Sequence, residues 1–284
     1  LRVNHSMKAH KKAEADVDIW NAMGAEMEMV GADQINAISG TRAYKSGLVN
    51  KRGGAVHPLM LARGLAKAAI QRGARIFGNS PVTAIEKTEG GWTTRTANAS
   101  ITSDWVIVAT NGYTDHLIPG LAESVIPITP IQIATEPLSD DVIGSILPEG
   151  HTISDSRRVI MYARREPDNR MVYGGHGEAD RHGNIAGFDW LQKDAERVFP
   201  QLKGQRWTHR WGGRIAITQD HLPHLHEPKP GLLAGLGYNG RGVAMSNVMG
   251  RVMAERVLGK SVDSLPFPVS KVAAIPMRNL KVAG

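Results

Sequence analysis

The residues with the clearest chemical meaning lie at 235–242, where the sequence reads GLGYNGRG. Four of these eight residues are glycine, which lets a backbone turn sharply and lets a ligand approach main-chain N–H groups. An apolar run precedes the loop, and a segment with an apolar stripe at helical spacing follows it. A helix that begins there directs the positive end of its dipole at the loop. The pattern predicts a site for a planar or anionic group, and a purely structural strand-to-helix turn is the alternative.

The elements that must position this loop follow from hydrophobic periodicity and turn residues. Helices are predicted at 10–29, 57–72, 188–199 and 242–258. Strands are predicted at 74–77, 82–87, 92–96, 104–110, 125–135, 159–164, 170–174, 214–215 and 232–234. The strand at 104–110 is apolar on both faces, which is typical of a buried parallel sheet, whereas the later strands alternate as in an antiparallel sheet. Gly64 lies on the apolar stripe of the second helix and predicts close packing against a neighbour.

Composition and charge limit the function classes. The chain has 284 residues, no cysteine and a formal net charge of +7. The lack of cysteine excludes disulfides, thiolate metal sites and a cysteine nucleophile. Basic residues are interleaved with acidic ones and no aromatic-rich stretch accompanies them, so nucleic-acid binding is not predicted. No apolar run approaches the roughly 20 residues that span a bilayer, and a cytoplasmic protein with no membrane span is predicted.

Metal binding is not predicted either. The histidines that invite such an interpretation flank strand and turn signals and lack the Glu or Cys partners of a defined ligand set. These residues are His209, His221, His224 and His226.

Six short pieces of sequence stand in a recognisable order. They are GGAVHP at 53–58, PV at 81–82, ATNGY at 109–113, WGG at 211–213, DHLP at 220–223 and GYNG at 237–240. With this order and spacing the sequence resembles the D-amino acid oxidase (DAO) superfamily of FAD-dependent flavoproteins, in the branch of sarcosine oxidase and gamma-glutamylputrescine oxidase. The resemblance covers most of the chain. It implies FAD-dependent oxidation of the C–N bond of an amino acid or amine by hydride transfer to the flavin.

The resemblance also implies which residues contact FAD. Segment 53–58 lies beside the flavin ring, position 82 on the adenine side, and 110–112 near the ribose and phosphates. Segment 237–242 lies at the pyrimidine edge of the flavin, where a helix N-terminus stabilises charge that develops during hydride transfer. The implied cofactor-binding residues are Gly54, His57, Val82, Thr110, Asn111, Gly112, Gly212, Gly213, Gly237, Tyr238, Asn239, Gly240 and Gly242.

Three residues are candidates for contact with the substrate. Tyr162 and Arg164 are one alternation apart on a predicted strand and share a face, with structural packing as the alternative. Arg241 is placed to pair with a carboxylate or a flavin oxygen, with solvent exposure as the alternative. His57 has its own structural alternative, which is packing at the start of a helix. No catalytic base stands out, so the catalytic residues are unknown.

Complete members of the family begin with a strand, a Gly-x-Gly-x-x-Gly turn and a helix that hold the FAD pyrophosphate. Nothing before Gly53 has that form, so the resemblance implies a truncated chain. Its fold class is α/β (α+β), with an incomplete Rossmann-like FAD-binding layer and an antiparallel-sheet substrate domain. The predicted division is a bridging helix and strand at 1–52, FAD-binding parts at 53–116 and 206–260, the substrate domain at 117–205 and a C-terminal extension at 261–284.

Two alternatives to an active enzyme remain open at this point. The chain is a non-catalytic fragment that does not hold FAD, or it is one subunit of a split oxidoreductase. In the second case a partner chain supplies the missing βαβ unit.

Overall fold

The computed structural model describes residues 1–180 and 183–278, so the last six residues of the predicted C-terminal extension lie outside the described residues. Its helices are α1 Met7–Ala22, α2 Ala32–Ser39, α3 Pro58–Gln71, α4 Asp140–Gly144, α5 Phe188–Val198 and α6 Gly242–Val257. Its strands are β1 Arg2–Asn4, β2 Met27–Val30, β3 Ser46–Asn50, β4 Val82–Thr88, β5 Gly91–Thr96, β6 Ser100–Ser103, β7 Val106–Val108, β8 Ile126–Thr135, β9 Ile153–Asp155, β10 Tyr162–Arg165, β11 Met171–Ala179, β12 Ile185–Ala186, β13 Trp207–Gly212, β14 Ile215–Ile217, β15 His224–Lys229 and β16 Leu232–Leu236. No helix within these described residues is long and apolar enough to cross a membrane.

The chain divides into two compact units, of which the first comprises residues 1–62 and 129–213. Its sheet has the strand order β13-β8-β11-β10-β9-β1-β3-β2, and β12 pairs with β11. Neighbouring strands from β13 to β9 are antiparallel, as the alternating sequence predicts. Helix α5 packs on β11, and one apolar core holds the unit together, with Ile131, Tyr173, Leu191 and Phe199 at or near zero exposure. Residues of this sheet line part of a cavity.

The second unit comprises residues 63–128 and 214–284. It contains a sheet of order β15-β16-β7, with β16 parallel to β7, and a separate antiparallel sheet of order β4-β5-β6. Helix α6 packs on β16 through Met249, Val252 and Met253, which are buried together with Leu233. The parallel pair is the arrangement that the apolar strand before residue 110 predicts. However, Ile107 is 44% exposed, so β7 is covered on one face only and the prediction of burial on both faces is wrong within the described chain.

The first predicted helix is shorter than its periodicity indicates. Ser6 caps α1 by accepting the Ala9 N–H at 3.2 Å, and the helix stops at Ala22 before Gly24, which has a φ of 81°. Asn21 then binds the backbone of Met27 through both its amide nitrogen and its amide oxygen. Met27 therefore enters β2, which pairs with β3. Local periodicity extended the predicted helix to residue 29 because it cannot anticipate this pairing.

Two other predictions are corrected around α3. Residues 74–77 form no strand, and Ile76 and Phe77 are 58% and 62% exposed. Helix α3 buries none of its residues, and a Cβ added at Gly64 would meet nothing within 4 Å. Close packing at Gly64 is therefore absent among the described residues. Leu65, which is 52% exposed, shows that the apolar stripe faces outward.

A buried ionic cluster ties α5 to the sheet of the first unit. Asp194 accepts hydrogen bonds from Arg157 at 2.7 and 2.9 Å, from the Tyr173 hydroxyl at 2.7 Å and from Arg197 at 2.6 Å. Burial alone would raise the pKa of Asp194, but these hydrogen bonds outweigh burial and lower it to about 2. Arg157 also pairs with the buried Asp155. The cluster therefore satisfies the charges and the hydroxyl that folding removes from water.

Candidate functional site

The glycine loop at 235–242 turns sharply between β16 and α6 in the second unit. Gly237, Asn239 and Gly240 have φ values of 76°, 51° and 82°, which is the left-handed region that side chains disfavour. At Gly237 space is also limiting, because an added Cβ would lie 2.3 Å from Thr218 Cγ2. The glycine at this position is therefore required by both conformation and packing.

Hydrogen bonds from two asparagines fix the loop. Asn111 Oδ1 accepts the Gly237 N–H at 3.0 Å, which joins the turn after β7 to the turn after β16. Asn239 Oδ1 accepts the Thr218 N–H at 2.9 Å, and the Asn239 amide donates to the Gly237 carbonyl. The Asn239 N–H donates to the Ala216 carbonyl at 3.1 Å. Hydrogen bonds within the second unit therefore preorganise the loop, and the side chains of both asparagines take part in them.

The loop leads into the first turn of α6, where N–H groups have no partner inside the helix. Its N-cap residue, Arg241, makes no side-chain capping bond, and Arg241 Nη2 instead donates to the His221 carbonyl at 3.0 Å. Val243 in this turn is 48% exposed. An uncapped N-terminus of a 16-residue helix beside a glycine-rich loop offers donors to a negatively charged group.

The preceding turn, at Thr110 to Gly112, supports this arrangement. A Cβ added at Gly112 would lie 2.4 Å from the Arg214 carbonyl oxygen, so close packing of two backbones explains this glycine. Thr110 Oγ1 lies 2.7 Å from Thr114 Oγ1. Among the residues predicted to contact a cofactor, the structure therefore brings Asn111 and Gly112 together with the glycine loop. Val82 begins β4 in the same unit and is partly exposed.

A cavity of about 760 Å³ lies in the first unit. Part of its floor is one row of directly opposed residues across four neighbouring strands of the sheet, and its lining extends to residues at the start of α3 and in the turn between β10 and β11. The row consists of His209, Ala134, Val172 and Arg164. Trp211 and Gln132 lie two residues further along their strands, on the same face, and also line the cavity.

Charged groups inside the cavity are paired with one another. Arg164 donates to Glu166 Oε1 through Nε at 2.8 Å, and its Nη2 forms an ion pair with the same oxygen at 2.5 Å. Arg170 Nε binds Asp168 at 2.9 Å, and its Nη1 donates to the Thr135 carbonyl at 2.7 Å. The cavity therefore combines apolar walls with two engaged arginines.

His57 faces two parts of the cavity lining, the start of α3 and the turn between β10 and β11. Its Nδ1 accepts the Met60 N–H at 3.4 Å, as a capping group at the start of α3. The Nε2 atom faces Glu166 Oε2 at 3.9 Å. His57 and Arg164 thus line one cavity, although the sequence predictions assigned the first to the cofactor and the second to the substrate.

The remaining predicted residues lie elsewhere. The Tyr162 ring covers Gly174, where an added Cβ would lie 2.1 Å from Tyr162 Cε2, and burial raises the pKa of Tyr162 to about 12. Gly212 is packed against Ile185, and the Gly213 N–H donates to a carbonyl of β8. Gly54 lines a second cavity in the first unit. Tyr238 is buried and donates to the Gly235 carbonyl at 3.2 Å, and Gly242 begins α6.

Sequence reasoning missed the residues that give the cavity its polarity. Glu166, Gln132 and His209 carry no local motif, and only the strand register places them together. Alternation within the predicted strand at 125–135 was the available signal for Gln132. Within the described ranges, no group of three or more His, Asp or Glu side chains is placed to hold a metal ion.

Comparison with known proteins gives consistent matches. The family model of FAD dependent oxidoreductase (DAO) matches residues 1–256. Probable oxidoreductase OrdL of Rhizobium meliloti is 34% identical over 280 residues, covering 97% of this chain and 64% of that protein. Gamma-glutamylputrescine oxidoreductase of Escherichia coli is 30% identical over 291 residues, covering 95% of this chain and 66% of that protein. The chain thus spans less than two thirds of the length of either relative.

A solved structure shares the fold. Glycine oxidase from Geobacillus kaustophilus superposes with a TM-score of 0.79 at 18% identity, over 96% of this chain and 74% of that one. At this identity the likeness establishes the fold, which is the mixed α/β arrangement predicted from the sequence.

Proposed function

The chain belongs to the FAD dependent oxidoreductase family, DAO, and on that basis we propose that it oxidises the C–N bond of an amino acid or amine. The family assignment made from short motifs is confirmed by this match and by the two relatives. The observation that carries the proposal is the preorganised glycine loop before the uncapped start of α6. When bound, FAD supplies the hydride acceptor that such an oxidation requires.

The residues of the loop fit one edge of a flavin. Gly240 and Gly242 place no side chain of their own at the approach to the first turn of α6, and the nearest atom to a Cβ at Gly242 would be on Tyr238, at 3.6 Å. Main-chain donors at this turn would stabilise negative charge on the ring edge without reorganising, because Asn111 and Asn239 already hold the backbone. We assign the pyrimidine edge of FAD to this loop.

The cavity of the first unit is the proposed substrate site. Its volume, about 760 Å³, lies in the range of small-molecule pockets, and its apolar walls exclude water from a bound substrate. Arg164 and His57 stand at its polar end, so both are proposed to contact substrate. The names of the relatives favour an amine or amino-acid substrate.

One alternative has a specific observation in its favour. In the second unit the apolar side chains of Leu65, Ile70 and Ile107 are 52%, 54% and 44% exposed. Exposed apolar faces of this kind commonly pack against another protein segment. This supports a split oxidoreductase, in which a partner chain carrying a strand, a Gly-x-Gly-x-x-Gly turn and a helix completes the FAD-binding layer.

The visible spectrum of the purified chain tests the proposal. The chain is examined after addition of FAD and desalting, alone and after co-expression with a segment that carries the Gly-x-Gly-x-x-Gly turn. We expect flavin absorption to stay with the protein in the co-expressed arm, and amines to bleach it as they are oxidised. Retention by the chain alone would show that the present segments suffice. Loss of flavin in both arms would contradict the proposal and favour a non-catalytic fragment.

A further inference from the structure

The cavity of the first unit contains a carboxylate, that of Glu166, whose second oxygen accepts no hydrogen bond from the described residues. Glu166 lies in the turn between β10 and β11, and its side chain is only 9% exposed. Both contacts from Arg164 go to Oε1. Oε2 makes no hydrogen bond within the described residues, and it lies 3.9 Å from His57 Nε2, which is too far for one.

The guanidinium groups of the two neighbouring arginines are each paired with a carboxylate. Arg164 gives two of its donors to Glu166, and Arg170 gives its donors to Asp168, the Thr135 carbonyl and the Thr208 hydroxyl. Glu166 Oε2 is therefore an acceptor that neither arginine occupies. A carboxylate oxygen that lines a cavity without a protein partner can accept a hydrogen bond from a ligand, and a charged donor makes that bond strong.

Apolar side chains form part of the lining. Leu59 and Met60 come from the start of α3, and Val172 and Trp211 come from the sheet. Such walls suit a short alkyl chain, because burial of each methylene stabilises the complex by about 0.8 kcal/mol. A ligand that matches both features has an amino group at one end and an alkyl chain behind it.

We propose that Glu166 Oε2 is the acceptor that recognises the amino group of the substrate, and that the cavity selects alkyl amines over carboxylates. This inference rests on the proposed function, and it narrows the substrate class from amino acids and amines to amines. A ligand carboxylate placed at Glu166 would bring two anions together, and the nearest guanidinium, that of Arg164, is already paired with Glu166.

Calorimetric titration of the chain with three matched ligands tests the inference without any flavin. The ligands are n-pentylamine, 1-pentanol and pentanoate, which share a chain length and differ in the head group. We expect n-pentylamine to bind at least about tenfold more tightly than either of the others, as a charge-assisted hydrogen bond allows. Equal or tighter binding of pentanoate or pentanol would overturn the inference, and this comparison needs no variant.

Two variants locate the effect. Glu166→Gln should weaken n-pentylamine binding at least about tenfold. Glu136→Gln is the control, since Glu136 is 42% exposed, pairs with Arg206 at 3.1 Å and lies outside the cavity lining. It should change the affinity by less than about twofold. Circular dichroism confirms that both variants fold.

The result is separable from the test of the proposed function. If n-pentylamine binds equally to Glu166→Gln and to the unmodified chain, the role of Glu166 is wrong even when the flavin spectrum supports an oxidoreductase. If the flavin test fails while amine binding depends on Glu166, recognition of the amine stands and the oxidation does not.

Discussion

Asp194→Asn is expected to lower the free energy of unfolding by about 3 kcal/mol, because it breaks a buried ionic cluster while leaving its other members in place. Arg157 loses the partner that takes two of its donors, and the Tyr173 hydroxyl, which belongs to a fully buried residue, loses an ionised acceptor. Chemical denaturation measures the change. Asp189→Asn on the same helix is the control, since Asp189 is 86% exposed and pairs with Arg210 only at 3.4 Å. Its effect should stay below about 1 kcal/mol, and equal effects in both variants would contradict the role given to Asp194.

The same cluster sets a dependence on pH. The pKa of Asp194 is about 2 in the folded chain and 3.8 ordinarily, so the folded state binds its proton less readily than the unfolded state. The stabilisation by Asp194 is therefore fully present above about pH 4 and is lost as the pH falls towards 2. Asp194→Asn should remove this part of the acid dependence while the other carboxylates keep theirs.

Gly237→Ala is expected to cost about 2–5 kcal/mol of stability in the second unit and to weaken FAD retention. A φ of 76° strains any side chain by about 1–2 kcal/mol, and the contact with Thr218 Cγ2 adds overpacking of about 1–3 kcal/mol. Denaturation followed by Trp fluorescence measures the first effect, and the flavin spectrum of the co-expressed protein measures the second.

The chain offers a matched control and a partial rescue for this substitution. A Cβ at Gly250 on α6 would meet nothing within 4 Å, so Gly250→Ala should stabilise slightly, by about 0.5–1 kcal/mol. Thr218→Ser deletes the obstructing methyl group and keeps the hydroxyl that donates to the Leu222 carbonyl. Combined with Gly237→Ala it should restore the packing part of the loss and leave the backbone strain. If Gly237→Ala destabilised the protein no more than Gly250→Ala does, the packing argument would be contradicted.

Elements whose signals are local could be predicted from the sequence. Helix α6 was expected at 242–258 and runs from Gly242 to Val257, and the strand expected at 125–135 is β8. The apolar stripe, the glycines and the turn residues are sufficient to predict these elements, because the contacts that stabilise them follow the same periodicity as the sequence. The family and its cofactor could be recognised because six short motifs keep their order across the chain.

The candidate substrate site could not be predicted, because no local pattern brings its members together. His57 and Glu166 are far apart in sequence and meet through the sheet register and a hairpin turn. Similarly, residues 74–77 have the composition of a strand but find no pairing partner among the described residues. A strand requires a neighbour, and composition alone does not supply one. The five-segment domain division and the cofactor contacts stay predictions.

The two asparagines that hold the glycine loop also stand in a sequence context that favours deamidation. Asn111 and Asn239 are each followed by glycine, and a following residue without a side chain leaves its N–H free to attack the asparagine amide carbon and release ammonia. At Asn239 the product would be a carboxylate facing the Gly237 carbonyl, to which the amide now donates. Slow deamidation during storage would therefore loosen the loop while most of the chain remains folded. Deamidation at these two side chains is therefore a route by which a stored preparation would lose the geometry of the loop.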